Sequence, residues 1–404
     1  MPLTNHEKGG GASWSRANGR GYHFGLEVEY LLVDAETFRP LWHPDLSFDE
    51  LNAAFEAIPV GDLPPLDGLD LEPPHRKLMP FAVEGYHLPS PDMGPRELLP
   101  KGVEIRTPVC PSIESCLDCL EELHGRMQVA LGALGYRAVA CSHHPVEDRF
   151  EGPQNKRRHD FWQWAMLAMT TYGPDVNVSL PATLNDRLDA ADLHAKVNYY
   201  APALTALTLA SPLVRGGLWE TRGRIGKSIR THRRSVIAPA IELHPEEAGR
   251  LEYKTFEATG SAGDLHAYFL LWLELLLDDG LRGRASEPTR IYDLGAVARD
   301  GLAAETVAER AAEVLDRAPG VLAGRGFDPR PLEPFRRRLE TGRLPADDLI
   351  DLFQRVHSIP AMLRHLATPP PAGAPEAEAG AVARTAIRGG ASIPPTYLTE
   401  ERSA

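Results

Sequence analysis

Carboxylate and basic side chains occupy alternate positions in four short segments spread widely along the 404-residue chain. The segments are residues 24–30, 103–107, 175–179 and 251–256. Their polar positions are Glu27 and Glu29, Glu104 and Arg106, Asp175 and Asn177, and Glu252 and Lys254. Oxygen-bearing side chains of this kind suit Mg²⁺ or Mn²⁺, which commonly bridge to phosphate groups. The pattern favours one shared site for a nucleotide and metal ions.

The alternation in these segments predicts β-strands, because successive side chains of a strand point to opposite faces. Two glutamates at positions i and i+2 stand about 7 Å apart on one face. Further acids nearby raise their pKa values or destabilise the sheet unless a cation compensates the charge. An ordinary antiparallel sheet with one solvated face gives the same alternation. The presence of four such segments in one chain favours a shared metal and nucleotide site over an ordinary solvated sheet.

Composition and net charge limit the classes of protein to which the chain can belong. With 43% hydrophobic residues the chain can bury a large core. Its net charge of -13 argues against a nucleic-acid binder that works by broad electrostatic attraction. Residues 1–20 are Gly-rich and polar, and the most apolar run, 269–277, is too short to span a bilayer. We expect a cytoplasmic protein that binds neither nucleic acid nor membrane.

The four cysteines predict buried thiols rather than a disulfide framework. So few cysteines in so long a chain fit a reducing compartment. Cys116 and Cys119 have the spacing of some zinc and redox sites, but they lie in a predicted helix without a second pair. We interpret them as structural.

The remaining periodicity predicts one domain, residues 21–367, with a flexible N-terminus at 1–20 and a disordered tail at 368–404. A Pro-rich insertion at 59–100 is interpreted as an ordered cover or a mobile lid, and 290–367 as a helical part. Pro202 is expected to bend or break a helix over 190–209. The other expected helices are 48–57, 112–134, 160–171, 265–277, 294–316, 332–341 and 346–366, and a further strand is 137–141.

A basic cluster lies between the third and fourth polar segments. It contains Arg215, Arg222, Arg224, Lys227, Arg230, Arg233 and Arg234. Such a cluster is either a solvated loop or a binding site for phosphate and carboxylate groups, and its position between two polar segments favours the binding site. We assign Arg230 and Arg233 to catalysis and Arg222 and Arg234 to the nucleotide. His143 and His144 are expected to make structural hydrogen bonds.

Residues 24–34, 103–110 and 251–256, in this order, resemble the type-2 glutamate-cysteine ligases, also called carboxylate-amine ligases, of the glutamine synthetase superfamily. The resemblance covers about residues 22–277. It implies an α+β fold, in which helices back a curved, mainly antiparallel β-sheet whose concave face binds ATP and two or three divalent ions. It further implies nucleotide contacts by Asn177 and Lys254, and metal ligation by Glu27, Glu29, Glu104, Asp175 and Glu252.

The sequence departs from the family pattern at three positions. Asp175 and Asn177 stand where the family commonly has His-x-His, and Lys254 stands where relatives usually have arginine. Aspartate can still bind magnesium, and lysine still offers positive charge, although without the bidentate fork. The residue types at these positions are therefore still compatible with metal-dependent chemistry, whereas the substrates of the family cannot be assigned to this chain.

The expected activity is ATP-dependent amide formation, with γ-glutamyl transfer as one version. ATP would phosphorylate a carboxylate, metals and Lys254 would neutralise the developing charge, and an amine would then displace phosphate. The expected partners are small carboxylates and amines, such as amino acids or peptides, and a homo-oligomer is left open. Two alternatives stay open: a guanidino or carboxylate kinase, and a non-catalytic descendant that binds a nucleotide or a partner, motivated by Asp175, Asn177 and Lys254.

Overall fold

A curved antiparallel sheet carries all four polar segments. The computed structural model describes residues 21–64, 80–89, 95–150, 159–235, 239–285 and 293–367. The strands are β1 (His23–Asp34), β2 (Phe81–Pro89), β3 (Pro95–Arg106), β4 (Tyr136–Val139), β5 (Pro174–Ser179), β6 (Leu213–Val214), β7 (Gly217–Leu218), β8 (Glu220–Thr221), β9 (Arg224–Ile225), β10 (Ile241–His244) and β11 (Arg250–Tyr253).

The main sheet has the order β10-β11-β5-β1-β3-β2, and β4 pairs with the second half of β1. Every neighbouring pair in it is antiparallel. The short strands form two separate hairpins, β6 with β7 and β8 with β9. Strand β1 is central, so its polar side lies between the polar sides of β3 and β5.

Helices account for most of the remaining described residues. They are α1 (Phe48–Glu56), α2 (Ile113–Ala133), α3 (His159–Ala168), α4 (Ala182–Asn185), α5 (Ala190–Ala206), α6 (Ile229–Arg234), α7 (Ala262–Leu277), α8 (Leu294–Asp300), α9 (Val307–Gly324), α10 (Glu333–Thr341), α11 (Pro345–Val356) and α12 (Ile359–Ala367). Serine side chains cap several of them: Ser112 accepts from Ser115 N at 3.1 Å, and Ser261 accepts from Asp264 N at 3.2 Å.

The apolar side of the sheet packs against α2 and α7 and forms the core. Phe24, Leu26 and Val28 of β1 are each at most 1% exposed. The Phe24 ring meets Phe269 of α7 edge to face, with centroids 5.5 Å apart. This packing fixes which side of β1 is apolar, and it leaves Glu27 and Glu29 on the opposite side. The α+β class with a curved antiparallel sheet is therefore confirmed.

The Pro-rich segment contains a pair of strands that the sequence analysis interpreted as an insertion. Residues 81–89 and 95–100 belong to β2 and β3, which form one edge of the sheet. These residues are therefore ordered as part of the sheet, and the interpretation of 59–100 as an insertion stays a prediction. Edge strands tolerate proline, since one side of their backbone needs no ladder partner. Residues 65–79 and 90–94 lie outside the described part.

Three helix predictions need correction. Helix α5 continues through Pro202, so the proline does not break it. The single helix expected over 294–316 is divided by a 3₁₀ turn at Gly301–Ala303, and that over 346–366 is divided at His357, whose φ is 45°. The calls for 1–20 and 368–404 lie outside the described residues. In the part of the chain that the structure describes, no helix has the length and apolar character needed to cross a membrane.

Candidate functional site

The polar sides of β1, β3, β5 and β11 meet on one face of the sheet. Glu27 stands opposite Arg106 on β3 and Asp175 on β5. Glu252 of β11 stands opposite Asn177. Residues directly opposite in antiparallel strands point to the same side. The structure thus brings together the residues that the alternation singled out, while their roles as metal and nucleotide ligands remain predictions.

At the β2–β3 end of this face, a buried lysine neutralises one of the predicted metal ligands. Lys101 Nζ lies 2.5 Å from Glu29 Oε1 and donates to Thr171 O at 2.9 Å, and the lysine side chain is 3% exposed. The other Glu29 oxygen accepts from Gly173 N at 3.1 Å. Both oxygens of Glu29 therefore have partners within the protein, and metal ligation by Glu29 would require Lys101 to move.

The next acid on this side, Glu104, is also paired within the protein. Arg106 Nε donates to Glu104 Oε2 at 2.6 Å. Burial raises the pKa of Glu104 well above its ordinary value, and the neighbouring carboxyl of Glu84 raises it further. Arg106 lies 3.8 Å from Glu27 and 3.9 Å from Glu84. One guanidinium thus serves three carboxyl groups, and only its contact with Glu104 is short.

Glu27, at the centre of the face, has weaker compensation. Asn177 Nδ2 donates to its Oε1 at 3.1 Å, and Arg250 lies 3.6 Å away. Burial raises the pKa of Glu27 to about 7, with further contributions from the carboxylates of Asp175 and Glu252. The Asn177 oxygen accepts from Arg250 at 2.9 Å. Asn177 therefore links Glu27 to Arg250.

Lys254 lies among three carboxylates at the β10–β11 end. Its Nζ is 2.9 Å from Glu252, 3.2 Å from Asp175 and 3.4 Å from Glu242. Burial lowers its pKa, but Asp175 and Glu252 outweigh that effect, so the net shift is upward and the ammonium stays charged. Burial and Asp175 also raise the pKa of Glu252. One lysine thus compensates several acids here.

The sequence analysis missed two residues of this end, Glu242 and His244 on β10. Their ligand atoms and those of Glu252 all lie within 4.8 Å of one another. The signal was present in residues 241–244, where Ile, Glu, Leu and His alternate as in the other polar strands. Four residues were too few to set this segment apart from a loop.

The predicted arginines occupy different environments. Arg230 is 2% exposed, and its guanidinium donates to the carbonyls of Tyr172 at 2.7 Å, Thr255 at 3.3 Å and Lys254 at 3.5 Å. Arg233 donates to Thr170 Oγ1 at 2.9 Å and to Asp148 O. Both guanidiniums hold surrounding segments in place, and the catalytic role predicted for them remains a prediction.

The two arginines assigned to the nucleotide are placed apart from each other. Arg234 lines a small, open cavity together with Arg230 and Lys254, and Thr205, Thr231, Pro239, Thr255 and Leu294 complete the lining. Arg222 is exposed in the turn between β8 and β9, with φ 49°. Arg234 is therefore the arginine of this pair that the structure places beside Lys254.

The predicted structural roles of the histidines and cysteines are confirmed. His144 Nε2 lies 3.3 Å from Leu41 O, and its Nδ1 accepts from Glu147 N at 2.8 Å. His143 Nε2 lies 3.0 Å from Thr170 Oγ1. All four cysteines are free and buried.

The residue types of the face suit a divalent cation, but among the described residues the groups whose ligand atoms lie within 4.8 Å of one another include neither Glu27 nor Asp175. Glu27, Asp175 and Glu252 present carboxylates from three adjacent strands. The raised pKa values of Glu27 and Glu252 arise from burial and mutual repulsion. A divalent cation bound by these oxygens would relieve that repulsion and hold the carboxylates ionised.

Comparisons with known proteins agree with this architecture. The family model of glutamate-cysteine ligase family 2 matches residues 23–260. A provisionally named glutamate-cysteine ligase 2 from Jannaschia sp. (strain CCS1) is 28% identical over 203 residues, which are 48% of this chain and 43% of that protein. A similarly named protein from Rubrobacter xylanophilus is 27% identical over 171 residues, 40% of this chain and 41% of that protein. The chain thus matches less than half the length of either relative.

Two solved structures share the fold. A bifunctional glutathione synthetase from Pasteurella multocida has a TM-score of 0.57 at 16% identity, and the match covers 86% of this chain and 52% of that protein. A glutamate-cysteine ligase from Francisella tularensis, solved with AMP, has a TM-score of 0.54 at 13% identity, and the match covers 91% of this chain and 93% of that protein. Since the family match extends over more than half of the sequence and includes all four polar segments, the chain belongs to glutamate-cysteine ligase family 2.

Proposed function

We propose that the protein is an ATP-dependent ligase that joins a carboxylate to an amine through an acyl phosphate. The observation that carries the proposal is the meeting of Glu27, Asp175, Glu252 and Lys254 on one face of a family member's sheet. That grouping combines oxygen ligands for a metal with a fixed positive charge. Phosphoryl transfer needs both, because negative charge must be held and neutralised during the reaction.

Magnesium or manganese is the proposed metal, with Glu27, Asp175 and Glu252 as its ligands. When bound, the ion would neutralise phosphate charge and orient the nucleotide. Glu29 and Glu104 were predicted as further ligands, but their short contacts with Lys101 and Arg106 favour a supporting role. In that role Glu104 holds Arg106, which lies 3.8 Å from Glu27, and Glu29 holds Lys101.

Lys254 is the proposed residue for the transferred phosphoryl group. Its ammonium is held by Glu252 and Asp175, so it can stay charged and positioned before the substrate binds. Arg234 lines the cavity beside it and supplies a second cation for a phosphate or a substrate carboxylate. Arg230 donates to the backbone carbonyls of Lys254 and Thr255, which supports a positioning role for it.

ATP is the proposed nucleotide, and the Francisella ligase of the same fold was solved with AMP. The relatives are named for glutamate and cysteine, and an amino acid or a small peptide is accordingly the proposed class for both substrates. The amine would attack the acyl phosphate and release phosphate. This route needs no nucleophile from the protein.

A paired screen tests the proposal. Purified protein would be incubated with Mg²⁺, ATP and pairs of amino acids, amines or peptides, and ADP and amide products would be measured by mass spectrometry. The ligase proposal predicts ADP release that depends on both members of a pair. With ¹⁸O in the substrate carboxylate, one labelled oxygen should appear in the released phosphate.

Other outcomes identify the alternatives. A kinase would form ADP without an amine and leave phosphate on the acceptor. Binding of Mg-ATP without ADP from any pair would favour a non-catalytic descendant. The matched variant Glu27→Gln should abolish ADP formation without changing the circular dichroism spectrum, and normal turnover in that variant would contradict the assignment.

A further inference from the structure

The hairpin of β10 and β11 places two glutamates directly opposite each other. Glu242 and Glu252 are register partners, and His244 is the partner of Arg250. Like charges at directly opposed positions destabilise an antiparallel pair. Lys254 Nζ, at 3.4 Å from Glu242 Oε2 and 2.9 Å from Glu252 Oε1, offsets part of this cost, and a divalent cation would offset more of it.

The imidazole of His244 points into the space beside this pair. Its Nε2 lies 3.3 Å from Glu252 Oε2 and 3.9 Å from Glu242 Oε2. Glu252 is 3% exposed, so one of the two carboxylates is fully inside the fold. The hairpin thus presents one nitrogen and two carboxylate oxygens at mutual distances that a single bound ion can span.

The two oxygens of Glu252 face different partners. Oε1 lies 2.9 Å from Lys254, whereas Oε2 faces His244 and, at 3.6 Å, Arg250. Lys254 also lies 3.2 Å from Asp175. A cation on the His244 side could therefore bind Oε2 while Lys254 keeps Oε1 and Asp175.

Negative charge exceeds positive charge in this corner. The carboxylates that contact Lys254, Arg250 or His244 are Glu27, Asp175, Glu242, Glu246, Glu247 and Glu252. Three fixed cations, Lys254, Arg250 and the Arg106 that lies 3.8 Å from Glu27, face these six acids. The other imidazole nitrogen, Nδ1, lies 3.8 Å from Glu247 and 3.9 Å from Glu246, which is beyond hydrogen-bond distance.

We propose that Glu242, His244 and Glu252 form a divalent-cation site with mixed nitrogen and oxygen donors. Imidazole suits zinc and other transition metals, whereas magnesium and calcium prefer oxygen. The imidazole donor is therefore expected to favour a transition-metal ion such as Zn²⁺ over Mg²⁺ or Ca²⁺. It shares Glu252 with the proposed ligase site, but it rests on metal binding alone and does not require turnover.

Isothermal titration of the full chain with Zn²⁺, without nucleotide, tests this site. His244→Ala should lower the number of bound ions by one or weaken binding about 10-fold or more. Glu242→Gln should weaken the same event. The matched control is His194→Ala, which removes a half-buried histidine of α5 away from the hairpin and should leave the titration unchanged.

Cobalt absorption gives a second readout, since a nitrogen ligand changes the visible spectrum of bound Co²⁺. Wild type and His194→Ala should share one spectrum, and His244→Ala should lose it. Equal Zn²⁺ stoichiometry and affinity in wild type and His244→Ala, with an unchanged Co²⁺ spectrum, would overturn the proposal. Failure of the amino-acid and amine screen would leave these outcomes unaffected, so the two proposals fail separately.

Discussion

The two ends of the polar face handle buried negative charge in different ways. At the β2–β3 end, Lys101 and Arg106 contact Glu29 and Glu104 at 2.5 and 2.6 Å, so each of these two acids has one short contact with a cation, and Arg106 is also shared with Glu27 and Glu84. At the β10–β11 end, Lys254 is shared by three carboxylates at 2.9 to 3.4 Å, and a histidine lies beside them. Short internal contacts thus compensate Glu29 and Glu104 at the first end, whereas at the second end the carboxylates outnumber the cations that contact them.

This difference shows that an acid on the polar face is not by itself a metal ligand. Glu29 and Glu252 share the face and the residue type, but both oxygens of Glu29 have partners at 2.5 and 3.1 Å, whereas the partners of Glu252 Oε2, His244 and Arg250, lie at 3.3 and 3.6 Å. Buried ion pairs of this kind cost more to break than to keep. We therefore expect cations to bind at the β10–β11 end and around Glu27 before they displace Lys101.

The largest expected effect comes from removing the internal cation. Lys101→Met should lower the free energy of unfolding by about 3 to 5 kcal/mol, because it leaves Glu29 without its partner. Denaturant unfolding of the metal-free protein measures this. Added Mn²⁺ should restore part of the loss by binding the released carboxylate.

Arg343→Met is the matched control, since it removes exposed contacts with Asp348 and Asp351. That change should cost less than about 1 kcal/mol. Equal losses in Lys101→Met and Arg343→Met would show that the Lys101–Glu29 pair contributes no more than a surface pair.

A smaller effect, on turnover, is expected at the other end. Glu252→Gln should lower kcat/KM by about 100-fold or more, because an amide binds a divalent cation more weakly than a carboxylate. Steady-state ADP release at several Mn²⁺ concentrations measures this. Saturating Mn²⁺ should recover part of the activity, and wild-type rates at every concentration would remove Glu252 from the site.

Lys254→Ala sharpens the comparison between binding and catalysis. If Lys254 acts on charge that develops during transfer, kcat should fall about 30-fold with little change in ATP affinity. Lys254→Arg should retain most of the rate, because it preserves the charge. Equal losses in kcat and in ATP affinity for Lys254→Ala would instead assign the lysine to ground-state binding.

An acid outside the face provides the pH test. Glu274 of α7 is fully buried, and burial together with Asp278 raises its pKa to about 8, while Arg317 and Lys196 act in the opposite direction. The neutral carboxyl stabilises the fold below pH 4.5, and this contribution is lost as the pH rises through about 8.

Glu274→Gln should therefore lie close to wild type near pH 5 and exceed its unfolding free energy by about 3 to 4 kcal/mol near pH 9. Denaturant titrations at the two pH values measure the difference. A constant gap between the two proteins across this range would show that Glu274 does not titrate as the fold predicts.

Alternation allowed the polar strands to be predicted, because a buried opposite side fixes register over several residues. Glu27 and Glu252 were found in this way. His244 was missed because β10 has four residues, and β2 was missed because glycine and proline interrupt its pattern. The pairing of Lys101 with Glu29 joins residues 72 positions apart, and it depends on how β3 lies beside β1. A contact that depends on tertiary placement in this way leaves no local pattern in the sequence from which it could be predicted.

The most direct test is anomalous X-ray diffraction from crystals grown with Mn²⁺ and a non-hydrolysable ATP analogue. The account predicts manganese peaks beside Glu252, His244 and Glu27, with Lys101 still bound to Glu29. A strong manganese peak between Glu29 and Glu104, with Lys101 displaced and no peak at the β10–β11 hairpin, would contradict it.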